Sequence, residues 1–311
     1  ETEKNWDDEI HLILEFRKEE EWGGVPSPRA NRMILTHDVN NIETTAVMKS
    51  FEKSIDAFNP EMLVVTGFHM LGSQESAFRL KQVNMIVDMY SRISSERSIP
   101  IHAELASMGS PQYWEQLLRS ALPKIHSIGL NEQELFSAYQ ALGGTEFEWG
   151  MFTQPNPHLI ISTIGYLFEA SESDTFQRVH FHCLHFHIVA MRPTKKDTYF
   201  FPRARGPVSV AAGSYTTTSN ACPAAQGHPL SDPSSTDLAF PDFIEVPTHL
   251  PTLISPSLPP ARKAFANFKK DPLFYVEYNG IEFWTAPILV CKHPKKTVGL
   301  GDSISSAGVA Y

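Results

Sequence analysis

An α/β protein built on a parallel sheet is the fold class this sequence predicts, and three observations predict it. Between Ala46 and Leu142 the hydrophobic pattern switches strictly between a helical and a strand period, which is the signature of βαβ units. Leu63-Val64-Val65 and Ile288-Leu289-Val290 are short apolar runs of buried-strand length, far from the roughly 20 residues that cross a bilayer. Near the C-terminus, Lys296-Thr-Val-Gly299-Leu-Gly301-Asp302-Ser-Ile-Ser-Ser-Ala-Gly308 sets an acid directly after two close glycines and ahead of small helix-compatible residues. A chain builds an anion pocket this way: glycines let the backbone approach a phosphate, and the following helix points free N–H groups and its positive dipole end at it.

The elements follow in order. Ile10–Phe16 reads as a strand, Lys18–Pro28 as a charged and then Gly/Pro-rich turn, and Arg29–Leu35 as a returning strand, together a β-hairpin cap. Then come helix 46–58, strand 61–67, helix 75–92, strand 99–104, helix 111–122, strand 125–130 and helix 131–142. The second half is looser: helix 158–172, one long strand over 179–191, a Gly/Thr-weakened helix over 208–219, and short strands at 273–277, 281–285 and 287–291. Nine prolines between Pro223 and Pro260, among Ser, Thr and Asp, predict a long irregular loop spanning about 220–262. The last helix starts at Gly301, and no internal repeat is present.

Composition bounds the partners. With 311 residues, 42% hydrophobic and 20% charged, the chain is long enough for one large α/β domain and a smaller attachment. A net charge of −9 argues against a broad nucleic-acid surface, which needs clustered Lys and Arg, but leaves room for a local phosphate site. Cys183, Cys222 and Cys291 are too few and too scattered for a zinc site or a disulfide framework, and they leave open whether Cys222 and Cys291 pair. Because the chain begins at Glu1 without Met and enters a strand almost at once, it reads as part of a longer product, with any signal or anchor upstream.

Three acids sit just past predicted strand ends, the usual rim of a nucleotide site: Glu104, Glu134 and Asp302. Asp302 in a first helical turn is placed either to favour the dipole or to accept a proton from an attacking hydroxyl. Magnesium keeps most of its waters and needs only one or two carboxylates, so Glu104 and Glu134 suit a hydrated ion. Asn131-Glu-Gln-Glu134 is equally a capping box, with Asn131 as N-cap. His180, His182, His185 and His187 invite a metal reading, yet on one straight strand they divide between two faces and cannot meet one ion without a bend. Lys292, His293, Lys295 and Lys296, just before the Gly-rich turn, serve as phosphate contacts or as a solvated turn. No GxxxxGK[ST] loop and no His-Arg-Asp kinase loop are present, and Gly299-Leu-Gly301 lacks the third glycine of a dinucleotide site.

Taken together, Asn59-Pro-Glu-Met-Leu-Val-Val-Thr-Gly-Phe-His-Met70, His102-Ala-Glu-Leu-Ala-Ser-Met108, Gly129-Leu-Asn-Glu-Gln-Glu-Leu135 and Thr297-Val-Gly-Leu-Gly-Asp302 resemble the ADP-dependent glucokinases of animals. Pro28-Arg-Ala-Asn-Arg32 and Val290-Cys-Lys-His-Pro294 add to the likeness, which covers almost the whole chain and thins through the proline-rich stretch. The resemblance implies a ribokinase-like three-layer α/β/α domain over 34–311, with 1–33 the remainder of a small β-rich lid, incomplete at the N-terminus. It implies transfer of the β-phosphoryl group of ADP to the 6-hydroxyl of D-glucose with Mg2+, giving AMP. An ADP-dependent phosphofructokinase and a non-catalytic nucleotide-binding fragment are the alternatives. By the same resemblance Asp302 is the catalytic base of a GxGD motif and a metal contact. The amides of Gly299, Leu300, Gly301 and Asp302 form its anion hole, Glu104 (HxE) and Glu134 (NxxE) are associated with the metal, and His11, Arg29 and Arg32 contact substrate. A monomer and the endoplasmic reticulum or secretory pathway are the further expectations.

Overall fold

The structure, a computed structural model, describes residues 10–17, 19–27, 31–37, 44–72, 74–193, 205–221, 238–239, 273–288, 290–291 and 300–310. The chain divides into two compact units, Glu1–Asn59 and Pro60–Tyr311.

In the first unit, strand β1 (Ile10–Phe16) pairs antiparallel with β4 (Asn31–His37), from Ile10 opposite His37 to Phe16 opposite Asn31. The predicted turn between them is itself a small hairpin, β2 (Glu21–Trp22) against β3 (Val25–Pro26). Gly23 and Gly24 join these at φ 59° and 80°, since a two-residue primed turn needs a positive φ at both positions. Trp22 meets Phe16 edge to face at 4.9 Å. Helix α1 (Thr44–Phe58) ends the unit.

The second unit holds a seven-stranded sheet. Strands β5 (Leu63–Val65), β6 (Ile101–Glu104), β7 (Ser127–Leu130) and β8 (Arg178–His182) run parallel, side by side. Beyond β8 the sheet turns antiparallel through β9 (Phe186–Met191), β12 (Ile281–Pro287) and β11 (Phe274–Tyr278). The long strand predicted over 179–191 is therefore corrected to a hairpin. Its turn at Cys183 is closed by the Cys183 amide and Sγ, both donating to the Phe186 carbonyl at 3.0 and 3.1 Å. Alternation of His with apolar residues continues on both sides of this turn, so periodicity alone could not mark it. The strand predicted at 287–291 is corrected too: β12 runs on to Pro287, and β13 (Val290–Cys291) pairs instead with β10 (Leu238–Ala239), two residues inside the predicted proline-rich loop. The rest of that loop and Cys222 lie outside the described residues.

Among the described residues the unit also holds helices α2 (Ser76–Arg97), α3 (Pro111–Ala121), α4 (Glu132–Ala141), α5 (Trp149–Phe152), α6 (Pro157–Ala170), α7 (Gly206–Ala221) and α8 (Leu300–Ala310), with a 3-10 turn at Phe68–Leu71. α3 starts where the sequence says it should, at an N-cap serine followed by proline: Ser110 accepts the Tyr113 amide, and Pro111 sits at the position that needs no N–H. α2 to α3, α3 to α4 and α4 to α6 pack as neighbours. α6 is buried almost all round, as its run Leu159-Ile160-Ile161 requires. Among the described residues no helix is long and apolar enough to cross a membrane.

The two faces of the sheet differ in kind. Ala103, Ile128, Val179, Phe181, Ile188 and Ala190 are wholly buried and alternate with the residues that meet α7 and α8. Under α7 the opposite face is largely apolar, with Val189, Met191 and Ala286 packed on Val210, and the buried His187 beside them. Under α8 it is polar: His102, Glu104, Ser127, Arg178 and His180 are all buried there. The helices approach closely because they bring glycine to the histidines. A Cβ added at Gly308 would lie 2.5 Å from the His180 ring, and one at Gly213 of α7 would lie 2.8 Å from the His187 ring.

Two predictions follow from this packing. Gly308→Ala drives a methyl into a ring already tied to His187 at 3.0 Å, so it should destabilise by about 1–3 kcal/mol despite the better helix propensity of alanine, measurable by denaturant unfolding. The second concerns acid. Burial pushes His126 down to about 4 and His187 to about 3, and lowers His102, His158 and His180 as well. The unfolded chain takes up these protons near pH 6.5, so this stability is complete above 6.5 and is lost as pH falls toward 4. Glu134, raised to about 7 by burial, and the raised Glu132 and His182 act with the opposite sign, but these five histidines, joined by His69, which burial also lowers, outnumber them. Tm should fall between pH 7.5 and 5, and His126→Gln, which keeps an acceptor for the Ile101 amide now 3.1 Å from Nδ1, should flatten that fall.

Candidate functional site

Glu104 closes β6, where strand alternation turns His102 and Glu104 to the same side. Its carboxylate lies over Gly129 of the adjacent strand β7, where a Cβ would fall 1.9 Å from Oε2, so only glycine leaves room for it. Oε1 accepts the Ser305 hydroxyl of α8 at 3.0 Å and faces His182 Nε2 at 3.4 Å, while Oε2 faces His102 Nε2 at 3.3 Å. Burial by itself would raise this carboxyl, but the hydrogen bonds from His102 and His182 outweigh it and hold it at about 2. His182 responds in kind: burial would lower it, yet the Glu104 hydrogen bond and charge, with Glu134 and Glu132 beyond, raise it.

A second support reaches Glu104 from below. Arg178, wholly buried, donates to the Ser127 hydroxyl at 3.1 Å and to the Gly308 carbonyl at 2.9 Å. The Glu104 carboxylate can only accept, so neutral His102 presents Nε2–H to it, which leaves Nδ1 to accept the Ser127 hydroxyl at 2.7 Å. Each bond polarises the next, and the guanidinium also meets the negative end of the α8 dipole.

Glu134 stands in the first turn of α4 and forms the predicted capping box in full. Its amide donates to Asn131 Oδ1 at 3.0 Å, while its oxygens accept the Asn131 amide and Nδ2, both at 2.9 Å. Burial raises its carboxyl to about 7, against the helix-capping bonds and the His182 charge, with Glu104 adding to the rise. A buried carboxylate held high by desolvation and a like charge is one that a nearby cation would favour strongly, and an all-oxygen pair suits a hydrated hard ion. Among the described residues no group of three or more His, Cys, Asp or Glu is arranged to hold an ion by itself. His180 and His187, despite the bend, bond to one another at 3.0 Å, and His185 sits exposed in the turn.

Leu300, Gly301 and Asp302 form the first turn of α8, and Gly301 rests on His182, where a Cβ would meet the ring at 2.8 Å. The structure thus gathers Glu104, Glu134, His182 and the start of α8 at the carboxyl ends of β6, β7 and β8. Of the other expected residues, His11 and Arg32 lie on the paired strands β1 and β4 of the first unit. Arg29, Gly299, Lys292, His293, Lys295 and Lys296 lie outside the described residues. Sequence reasoning missed Arg178, Ser127, His182 and Ser305 as supports of Glu104. The signal available was the period-two spacing Arg178, His180, His182, which puts all three on one side of β8.

Comparison with known proteins agrees with this architecture. Over 311 residues, 31% are identical to an ADP-dependent glucokinase of Bos taurus, covering 98% of this chain and 58% of that protein. A probable ADP-dependent glucokinase of Caenorhabditis elegans is 27% identical, over 98% of this chain and 59% of its own length. The chain therefore spans less than two thirds of these curated relatives. Among solved structures, a hypothetical ADP-dependent phosphofructokinase of Pyrococcus horikoshii superposes with a TM-score of 0.64 at 20% identity, over 97% of this chain and 63% of that one. The ribokinase-like α/β class expected from the sequence holds, with a sheet that is mixed rather than parallel throughout. The family model for the ADP-specific phosphofructokinase/glucokinase conserved region matches residues 1–311, and the chain belongs to that family.

Proposed function

We propose that the protein to which this chain belongs is an ADP-dependent glucokinase, which moves the β-phosphoryl group of ADP to the 6-hydroxyl of D-glucose and releases AMP. The observation that carries the reading is the convergence of the Glu104 network and the first turn of α8 on one end of the sheet. Family membership narrows the reaction to phosphoryl transfer from ADP to a sugar, and the two curated relatives favour glucose over a sugar phosphate.

Phosphoryl transfer asks the protein mainly for positioning and for charge where the equatorial oxygens develop it. In this reading the amides of Gly299, Leu300, Gly301 and Asp302 receive the phosphoryl oxygens, helped by the positive end of α8. Asp302 takes the proton of the attacking hydroxyl as the new bond forms. Glu104 and Glu134 would hold hydrated Mg2+, which when bound supplies positive charge to the phosphate oxygens. His182 and Ser305 keep Glu104 ionised and fixed relative to the helix start. His11, Arg29 and Arg32 are assigned to substrate contact, with residues 1–33 as part of a lid. Retention in the endoplasmic reticulum or secretory pathway and a monomeric state complete the proposal.

AMP release from ADP and Mg2+ is the test, with glucose, with fructose 6-phosphate and without sugar, and with ATP as a control donor. Glucose-dependent AMP is expected. AMP that appears only with fructose 6-phosphate would move the protein to the phosphofructokinase branch of its family, and nucleotide binding without turnover would make it a binding protein. Asp302→Asn should lower turnover by at least ~10²-fold while ADP affinity, read by calorimetry, stays nearly unchanged. Unaltered turnover in that variant would remove Asp302 from the role of base.

A further inference from the structure

Away from Glu104 and Glu134, a cavity of about 190 Å3 opens between the C-terminal end of α4, the middle of α6 and the β11–β12 turn. None of the residues assigned to the kinase site lines it. Its walls are aromatic: Tyr139, Phe147, Tyr166 and Tyr278. Tyr139 lies 5.0 Å from Tyr166 edge to face and 5.3 Å from Phe147, a cluster with its ring planes turned in different directions.

Two of these rings are tied to the backbone through their hydroxyls. The Tyr139 hydroxyl accepts the Glu146 amide at 2.8 Å, and the Tyr166 hydroxyl donates to the Leu142 carbonyl at 3.0 Å. What Tyr139 and Tyr166 offer the cavity is therefore mainly ring surface. Two carboxylates complete the lining, Glu146 and Glu169, and Glu169 is steadied by Asn279 Nδ2 at 3.2 Å from the β11–β12 turn. No Lys, Arg or His lines the cavity. Arg119, whose charge reaches Tyr166, is paired with Glu115 at 2.9 Å.

Two details indicate a space to be filled. Gly165 interrupts α6 at the cavity wall, where a Cβ would meet Tyr278 only at an ordinary 3.5 Å. Packing would accept alanine there, and the helix would gain up to about 1 kcal/mol from it, so glycine keeps volume open at the expense of helix stability. Ser162, one turn earlier, also lines the cavity, and its buried Oγ has no hydrogen-bond partner among the described residues. Fixed π faces with carboxylates beside them and no competing base recognise one chemistry, a soft organic cation. We infer that this cavity is a binding site for a small alkylated ammonium head group, held on the faces of the tyrosines and balanced by Glu146 and Glu169. The site stands independently of the kinase reading.

Choline is the probe, and 3,3-dimethylbutan-1-ol, which has the same shape without the charge, is its control; binding is followed by calorimetry or saturation-transfer NMR on the purified protein. Choline should bind at least about tenfold more tightly than the neutral isostere. The double variant Glu146→Gln/Glu169→Gln, both exposed positions, should lose most of that preference. Gly165→Ala should weaken choline while leaving Tm unchanged or higher, which separates loss of the site from loss of the fold. Equal binding of the two probes, no choline binding, or choline binding indifferent to all three substitutions would overturn the inference. A result in either direction leaves AMP release unaffected, so the two readings fail separately.

Discussion

Keeping the Glu104 carboxylate charged inside the protein is the constraint on which the rest of the second unit depends. A carboxylate taken out of water neutralises itself unless donors and opposite charge compensate it. Here the compensation comes from four elements at once: His102 from its own strand, Ser127 and Arg178 from the next two, and Ser305 from α8. His182 closes the ring from the end of β8. A network that spans three strands and a helix fixes their register as firmly as apolar packing does, because a shift in any one leaves a buried donor or charge without its partner.

That requirement explains the division of labour across the sheet. The apolar face needs only volume and pattern. The other face carries histidines, arginine and glutamate beneath α8, so the helix that covers it must be slim and must supply backbone and hydroxyl partners. Small residues in α8 meet both needs. Gly301 and Gly308 admit the rings of His182 and His180, while Ser305 and the Gly308 carbonyl serve Glu104 and Arg178. The same smallness runs to the start of the helix, so support of the acid and the proposed anion pocket draw on one stretch of sequence.

The parallel core was legible because each of its elements is announced locally. Ser110-Pro111 and Asn131-Glu-Gln-Glu134 mark helix starts, and short apolar runs mark β5, β6 and β7. The acids at the strand ends were legible for the same reason. The β8–β9 hairpin was not, since its turn at Cys183 carries neither glycine nor proline and the His/apolar alternation runs straight on. Nor was the meeting of Arg178 with Gly308, or of Glu104 with Ser305, because hydrogen bonds between residues 130 and 201 positions apart have no local trace.

By itself, then, the sequence determined the α/β class, the helix caps and the residue types of the candidate site, because propensity, capping and periodicity act over a few neighbours. Tertiary structure alone decided that the sheet becomes antiparallel beyond β8, that the histidines bond to one another and to Glu104, and that Glu134 and Glu104 titrate on opposite sides of their ordinary value. Those outcomes depend on burial and on partners brought from distant strands, and the electrostatic state of a carboxylate is a property of its surroundings rather than of its position in the chain.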